Sequence, residues 1–354
     1  GDMFFRLAGG DYFTNFNQNP ELGEIPEEIK QLVPENIHLV YWDYFSRDRQ
    51  SYERNIDAHN AIKPGSWFAG GLWTWTGFAP HNAFSIATMR EAMRACRAKG
   101  VENVVMTMWG DNGAECSKFA VLPALFTVAQ MAKGIDNEAA IHANFEEEFG
   151  IPFEGFRALD LTGTQNDSAE AIYNPDKYLL FCDPFMGQFD NRVKSGDAAG
   201  YADCAARLAV YADHAEYGYL FRSLRALCAF LSVKADLGIR TRAAYLSGDK
   251  KAAKALCTDY DAALERLDVF YAAYEQQWMH ENKPQGFDVV DLRIGGQRQR
   301  LLHCRDRLLA YAEGRLDRIE ELEEPVLDCC CEEKADGQAT RAIFWHEIAS
   351  ANVI

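Results

Sequence analysis

The stretch from Met106 to Ser117, MTMWGDNGAECS, decides the fold, because an apolar run ends there abruptly in an aromatic ring, acids and an amide. The run Asn103–Trp109 is short, apolar and partly β-branched, which predicts a buried strand. Ile37–Phe45 and Ser66–Trp75 have the same apolar and aromatic character, and both are predicted to be strands.

A helix is predicted between the second and third of these strands. Apolar residues recur at helical spacing from Ile86 to Cys96, and Lys99-Gly100 is a suitable place for the helix to end. Two strands joined through a helix normally pair in parallel, so the sequence predicts an α/β fold with a parallel sheet.

Aromatic and acidic residues stand together at the carboxyl ends of the three predicted strands. The aromatic residues occur in Trp42-Asp43-Tyr44, in Trp73-Thr74-Trp75 and in Trp109-Gly110-Asp111, and the first and third of these ends also carry an acid. In parallel α/β folds, ligands bind outside these strand ends. Indole rings stack on the apolar faces of sugars, and carboxylates and amides bind the hydroxyls. The candidate substrate-binding residues are therefore Trp42, Asp43, Tyr44, Trp73, Trp75, Trp109, Asp111, Asn112 and Glu115.

Each candidate also has a structural explanation when it is taken alone. A Trp is often part of the core, and Asp43 or Asp111 alone could be a turn residue or a helix cap. Glu115 could simply begin the next helix. The recurrence of the pattern at three strand ends favours a binding site.

Charge and composition limit the classes of function. The chain has 354 residues and a formal net charge of −17, which disfavours binding to nucleic acid or to an anionic membrane. No apolar run approaches the roughly 18 residues of a membrane span, and no signal-peptide pattern is visible. The ten cysteines show no zinc or disulfide spacing, so a reduced, cytoplasmic location is predicted. The histidines show no metal-binding spacing either, and we predict no metal and no cofactor.

The chain divides by composition into three predicted parts. Residues 1–135 contain the predicted strands, with five of the seven Trp residues between Trp42 and Trp109. Residues 136–324 have apolar positions at helical spacing and are predicted to form a mainly α-helical domain. Residues 325–354 are treated as a C-terminal tail.

Several of these segments resemble the catalytic domain of glycoside hydrolase family 20. The resemblance rests on DMFFRLAGGDYF from Asp2, YWDYF from Tyr41, FAGGLWTWTGFAPHN from Phe68 and WGDNGAE from Trp109. It is strongest to the cytoplasmic bacterial branch of exo-acting β-N-acetylhexosaminidases and β-glucosaminidases. The segment Gln277–Leu301 resembles the helical C-terminal region of that branch.

The resemblance implies a (β/α)8 barrel and a substrate-assisted retaining mechanism, in which the 2-acetamido oxygen of the substrate attacks the anomeric carbon. Asp2–Phe5 matches the fifth strand of the family, so the chain is expected to carry the C-terminal half of the barrel followed by the helical domain. The family's catalytic Asp-Glu pair follows the fourth strand, and the sequence contains no Asp-Glu dipeptide. No catalytic residue is therefore assigned, and the chain alone is expected to be inactive.

The resemblance also gives roles to some candidates. Trp42 matches a Trp of the sugar pocket, and Trp109 matches the Trp that forms its floor. Asp111 stands where the family has an acid that holds distal sugar hydroxyls. Trp73 or Trp75 falls where many members carry a Tyr that binds the acetamido group. The implied partner is a terminal N-acetylhexosamine or glucosamine of an oligosaccharide or glycoconjugate.

Three functions remain open from the sequence. The chain is the C-terminal part of a retaining β-N-acetylhexosaminidase, a non-catalytic sugar-binding or scaffold protein derived from one, or another barrel glycosidase with its own carboxylates, such as Asp43 with Asp111.

Half a barrel is expected to leave apolar sheet surface uncovered, and this predicts a homodimer. The residues expected to form the uncovered surface are Val40, Trp42, Leu72, Val105 and Met108.

Overall fold

The structure is a computed structural model that describes residues 26–164 and 174–326. These residues form two compact units. The first contains residues 26–73, 82–109 and 121–153, and the second contains residues 74–81, 110–120 and 154–326, apart from the gap. The boundary predicted between residues 135 and 136 falls within the first unit. The strand predicted at Asp2–Phe5 lies outside the described residues.

A three-stranded parallel sheet lies in the first unit, in the order β1-β2-β3. The strands are β1 (Val40–Trp42), β2 (Trp67–Gly71) and β3 (Val104–Thr107). The sequence prediction of three strands and of parallel pairing between β2 and β3 is confirmed, although each strand is shorter than predicted.

Helices of the first unit cover one face of the sheet. Tyr41 pairs in register with Phe68, and both are buried in a core that includes Met89 of the helix between β2 and β3. That helix ends before Gly100, whose φ of 66° is the left-handed conformation expected after a helix. The helices are α1 (Glu27–Lys30), α2 (Arg49–Ile62), α3 (Asn82–Ala98), α4 (Leu122–Ala132) and α5 (Glu138–Phe149).

The opposite face of the sheet is partly open to solvent. Trp42 and Val105 both align with Ala69 of β2, so they lie on the same face, and both are exposed. Val40 and Met108 are half-buried. The expectation was wrong for Leu72, which is completely buried, because it packs with the core on the helix-covered side.

The second unit is helical. Its two longest helices, of 32 and 26 residues, pack against each other, and their buried faces carry aromatic and aliphatic side chains. None of the helices within the described ranges is both long and apolar enough to cross a bilayer. The helices are α6 (Phe153–Arg157), α7 (Leu161–Thr164), α8 (Pro175–Phe181), α9 (Asp197–Ala209), α10 (Gly218–Lys234), α11 (Leu237–Leu246), α12 (Lys250–Glu281) and α13 (Phe287–Ala312).

The described residues are thus mostly helical, with one small parallel sheet. The prediction of an α/β region followed by a helical region is confirmed at this level. That the strands are half of a (β/α)8 barrel stays a prediction.

Candidate functional site

Two of the candidate tryptophans lie against each other at the carboxyl end of the sheet. Trp42 is the last residue of β1, and Trp109 follows β3 by two residues. Their ring centroids are 5.8 Å apart, and the rings are inclined by 33°. The side chains are 37% and 43% exposed, respectively. Exposed indole rings that share one face form an apolar surface on which a sugar ring can stack.

Tyr44 and Trp73 extend the aromatic cluster in different ways. Tyr44 is half-buried and meets the edge of Trp42, with ring centroids 6.5 Å apart. Trp73 is only 2% exposed, and its indole nitrogen donates a hydrogen bond to the carbonyl oxygen of Tyr44 at 3.0 Å. Its ring packs edge-on against Phe84 in the interior. The environment of Trp73 is therefore that of a core residue that supports the cluster.

Asp43 holds the turn that follows β1. One carboxylate oxygen accepts hydrogen bonds from the backbone N–H groups of Phe45 and Ser46 at 2.8 and 3.0 Å. The other accepts hydrogen bonds from the hydroxyls of Tyr41 and Ser46, both at 2.6 Å. A carboxylate has about four lone-pair sites, so these four bonds saturate it. This geometry is that of the turn residue considered from the sequence.

The remaining candidates lie in the second unit, on two loops. The 74–81 loop follows β2 in the chain and carries Trp75, which is half-buried. The 110–120 loop follows β3 and carries Asp111, which is exposed. Lys118 links the loops, because its ammonium donates a hydrogen bond to the Thr74 hydroxyl at 3.0 Å. The backbone of Asn112 lies in a short 3-10 turn of the 110–120 loop.

Glu115 has the environment of a buried ion pair. Its side chain is 5% exposed, and one carboxylate oxygen lies 2.7 Å from the ammonium of Lys177 and 3.3 Å from the guanidinium of Arg293. The Tyr274 hydroxyl donates a hydrogen bond to the Glu115 carbonyl oxygen at 3.0 Å. The structure thus anchors Glu115 to α8, α12 and α13 and does not present its carboxylate at the surface.

Asp176, the residue before Lys177, binds the other loop. One of its carboxylate oxygens accepts hydrogen bonds from the backbone N–H groups of Phe78 and Ala79, at 2.6 and 3.0 Å. Burial raises the pKa of Asp176 to about 6, although these hydrogen bonds and Lys177 act to lower it. Gly77 is required beside this carboxylate, because a Cβ atom there would lie 2.7 Å from the nearer oxygen.

A second polar cluster fixes the end of the 110–120 loop. The Ser117 hydroxyl donates a hydrogen bond to Glu281 at 2.6 Å and accepts one from the backbone N–H of Phe119 at 3.1 Å. Burial raises the pKa of Glu281 and lowers the pKa of Lys118. Both shifts indicate a partly desolvated site at this end of the loop.

The buried carboxylates near these loops are bonded to other groups of the chain. Among the described residues, no three His, Cys, Asp or Glu side chains are grouped so that they could hold a metal ion. The buried carboxylates of Asp43, Asp176 and Glu115 are instead occupied by N–H, O–H and cationic groups of the chain.

Sequence reasoning missed Asn174, Asp176 and Lys177. All three are buried, and the Asn174 amide donates a hydrogen bond to the Thr76 carbonyl oxygen at 3.0 Å. The available signal is the motif Asn-Pro-Asp-Lys followed by Tyr-Leu-Leu-Phe, which places two charges at the start of an otherwise apolar helix. Charged residues are seldom fully buried unless they are paired, so the motif indicates partners elsewhere in the chain.

Comparison with known families matches residues 152–341 to the glycoside hydrolase 20C C-terminal domain. A search of curated proteins finds no significant match. The family match agrees with the predicted resemblance of the helical region to glycoside hydrolase family 20. It covers more than half of the sequence, and the chain therefore belongs to the glycoside hydrolase 20C C-terminal domain family.

Proposed function

We propose that the chain is the C-terminal part of a retaining exo-β-N-acetylhexosaminidase and that it carries an aromatic surface for the terminal sugar. The observation that carries the proposal is the exposed pair of Trp42 and Trp109, whose ring centroids are 5.8 Å apart at the carboxyl end of a parallel sheet. Membership in a family of glycoside hydrolase C-terminal domains supports a carbohydrate as the ligand. The proposed ligand is a terminal N-acetylglucosamine, N-acetylgalactosamine or glucosamine.

A glycosidase that uses Asp43 and Asp111 as its own carboxylate pair is less well supported. Asp43 already accepts four hydrogen bonds from its own turn, so an attack on an anomeric carbon would require breaking that turn. A non-catalytic sugar-binding protein remains the second candidate, because it requires only the aromatic surface. The two candidates differ in whether the sugar surface works together with a catalytic Asp-Glu pair.

To test the proposal, the full chain is titrated with N-acetylglucosamine, and tryptophan fluorescence is used to measure binding. Replacing Trp109 by Ala removes about half of the proposed stacking surface. We expect binding to weaken by about 1–3 kcal/mol, the range for the burial of a large apolar side chain. Trp109→Phe should retain part of the affinity, since a ring remains.

Leu246→Ala is a suitable control, because Leu246 is 64% exposed and lies in the second unit on α11. Its truncation should leave the affinity unchanged. Equal affinities of the wild-type chain and the Trp109→Ala variant would reject Trp109 as a sugar contact.

A further inference from the structure

The 74–81 loop is held by buried polar groups of a short segment, residues 174–177. Asn174 binds the Thr76 carbonyl oxygen, and Asp176 binds the N–H groups of Phe78 and Ala79. The amide oxygen of Asn174 is buried and has no hydrogen-bond partner within the described part of the chain. The polar contact that orients the Asn174 side chain is therefore the bond that its amide nitrogen donates to the loop.

The 110–120 loop has a strained backbone. Ala114 has a φ of 52°, and it is the only non-glycine residue with a positive φ among the described residues. Gly113 has a φ of 134°, and a Cβ atom there would lie 2.5 Å from the Arg293 guanidinium and 2.6 Å from the Glu115 carboxylate. Such conformations persist only where surrounding contacts impose them, and they are often found at binding sites.

The contacts that impose this conformation come from the buried ion pair. Lys177 is fully buried, and it binds the Glu115 carboxylate directly after the strained residues. Breaking a buried pair leaves an uncompensated charge, so the Lys177–Glu115 contact opposes any relaxation of the loop. Asp176 and Lys177 are neighbours in α8, so one turn of helix holds both loops.

The loops present two of the candidate sugar-binding residues. Trp75 lies directly before the residues that Asn174 and Asp176 bind, and Asp111 lies four positions before Glu115. We propose that Asn174, Asp176 and Lys177 are positioning residues, which fix the 74–81 and 110–120 loops of the second unit so that Trp75 and Asp111 are held in place for contact with a sugar. The inference rests on the function proposed above, and it assigns a role in substrate binding to the region that matches the family.

The main variant is Glu115→Gln combined with Lys177→Met. It replaces both members of the buried pair by neutral side chains of similar size, so neither Lys177 nor Glu115 leaves the other as an unpaired charge. The amide oxygen introduced at position 115 can still accept the hydrogen bond of Arg293, so the chain is expected to fold. The matched control is Asp268→Asn combined with Arg298→Gln. These two residues form an ion pair between α12 and α13 that is about half exposed, and an exposed pair contributes little to stability.

Two measurements on the full chain test the role. Hydrogen exchange reports how often the loop amides open, and titration with N-acetylglucosamine reports the affinity. In the main variant, we expect exchange in residues 110–116 to rise at least about tenfold, as for the loss of a charge-assisted hydrogen bond. The affinity should fall about tenfold in parallel, and the control should change neither quantity.

Asn174→Ala is a milder variant that keeps the ion pair intact. It should raise hydrogen exchange in residues 76–79 and lower the affinity for N-acetylglucosamine several-fold. This variant replaces the double variant in both measurements if the double variant does not fold. Unchanged exchange in a folded variant would overturn the proposal, and so would faster exchange with unchanged affinity. If the wild-type chain binds no sugar, the proposed function fails first, and the role of these residues in sugar binding fails with it.

Discussion

The buried carboxyl of Asp176 should make the stability of the chain depend on pH in an unusual direction. Burial raises the pKa of Asp176 from 3.8 to about 6, so the folded chain binds this proton more tightly than the unfolded chain does. The stability that protonated Asp176 contributes is therefore fully present below the pKa of this group in the unfolded chain, and it is lost as the pH rises through about 6. One pKa unit corresponds to about 1.4 kcal/mol, so the contribution is about 3 kcal/mol.

The assay compares the wild-type chain with the Asp176→Asn variant by urea unfolding between about pH 4 and pH 7. Asparagine keeps one acceptor oxygen for the Phe78 and Ala79 N–H groups but does not titrate. We expect the free energy of unfolding of the variant, relative to that of the wild type, to rise by about 2 kcal/mol across this range, because part of the total contribution is already lost at pH 4.

Other titrating groups change the free energy of unfolding of both proteins with pH, and their effects cancel when the variant is compared with the wild type. Burial acts to raise the pKa of Asp183, but Arg300 and two backbone hydrogen bonds together lower it, so Asp183 adds stability that is lost only in acid. Burial raises the pKa of Glu281, which contributes in the same direction as Asp176. A difference between variant and wild type that stays constant with pH would refute the assignment of a raised pKa to Asp176.

Gly77→Ala should destabilise the chain by about 1–3 kcal/mol in chemical unfolding, because the added Cβ would clash with the Asp176 carboxylate. The control is Gly248→Ala, where the added atom meets open space and the only cost is that of the positive φ. The purified chain should not hydrolyse an aryl N-acetyl-β-glucosaminide; turnover that Asp111→Asn abolishes would contradict this. Light scattering at low micromolar concentration should give the mass of a homodimer, which the exposed Val105 and the half-buried Val40 and Met108 favour; a stable monomer would contradict it.

The strands and the helix between them could be predicted because their signals are local. The apolar run before Trp109 and the spacing from Ile86 to Cys96 each lie within one element, and both elements formed. Strands β2 and β3 end earlier than predicted, because their pairing stops at Gly71 and Thr107 and a loop follows each strand. Strand ends depend on the neighbouring strand as well as on the sequence of the strand itself.

The environments of the candidate site residues could be predicted only in part, and their roles stay predictions. Trp42 and Trp109 are exposed, as sugar-contacting rings would have to be. The sequence alone does not reveal which Trp residues are exposed and which are buried, as Trp73 demonstrates. Trp73 is flanked by the same kind of residues, yet it lies inside the first unit and donates its indole hydrogen bond to Tyr44. The four hydrogen bonds of Asp43 come from residues within three positions of it, so the turn alternative was the one with a local signal.

The residues that hold the loops could not be found from local patterns, since their partners lie far away in the chain. Lys177 binds Glu115 across 62 positions, and Asp176 binds Phe78 across 98 positions. In the sequence, both charges look like the polar start of an ordinary helix. In the structure, they are buried, and burial of charge is tolerated only where a partner compensates it. Those partners lie in the loops that carry Trp75 and Asp111, so the proposed positioning role of α8 rests on contacts that no local sequence pattern reveals.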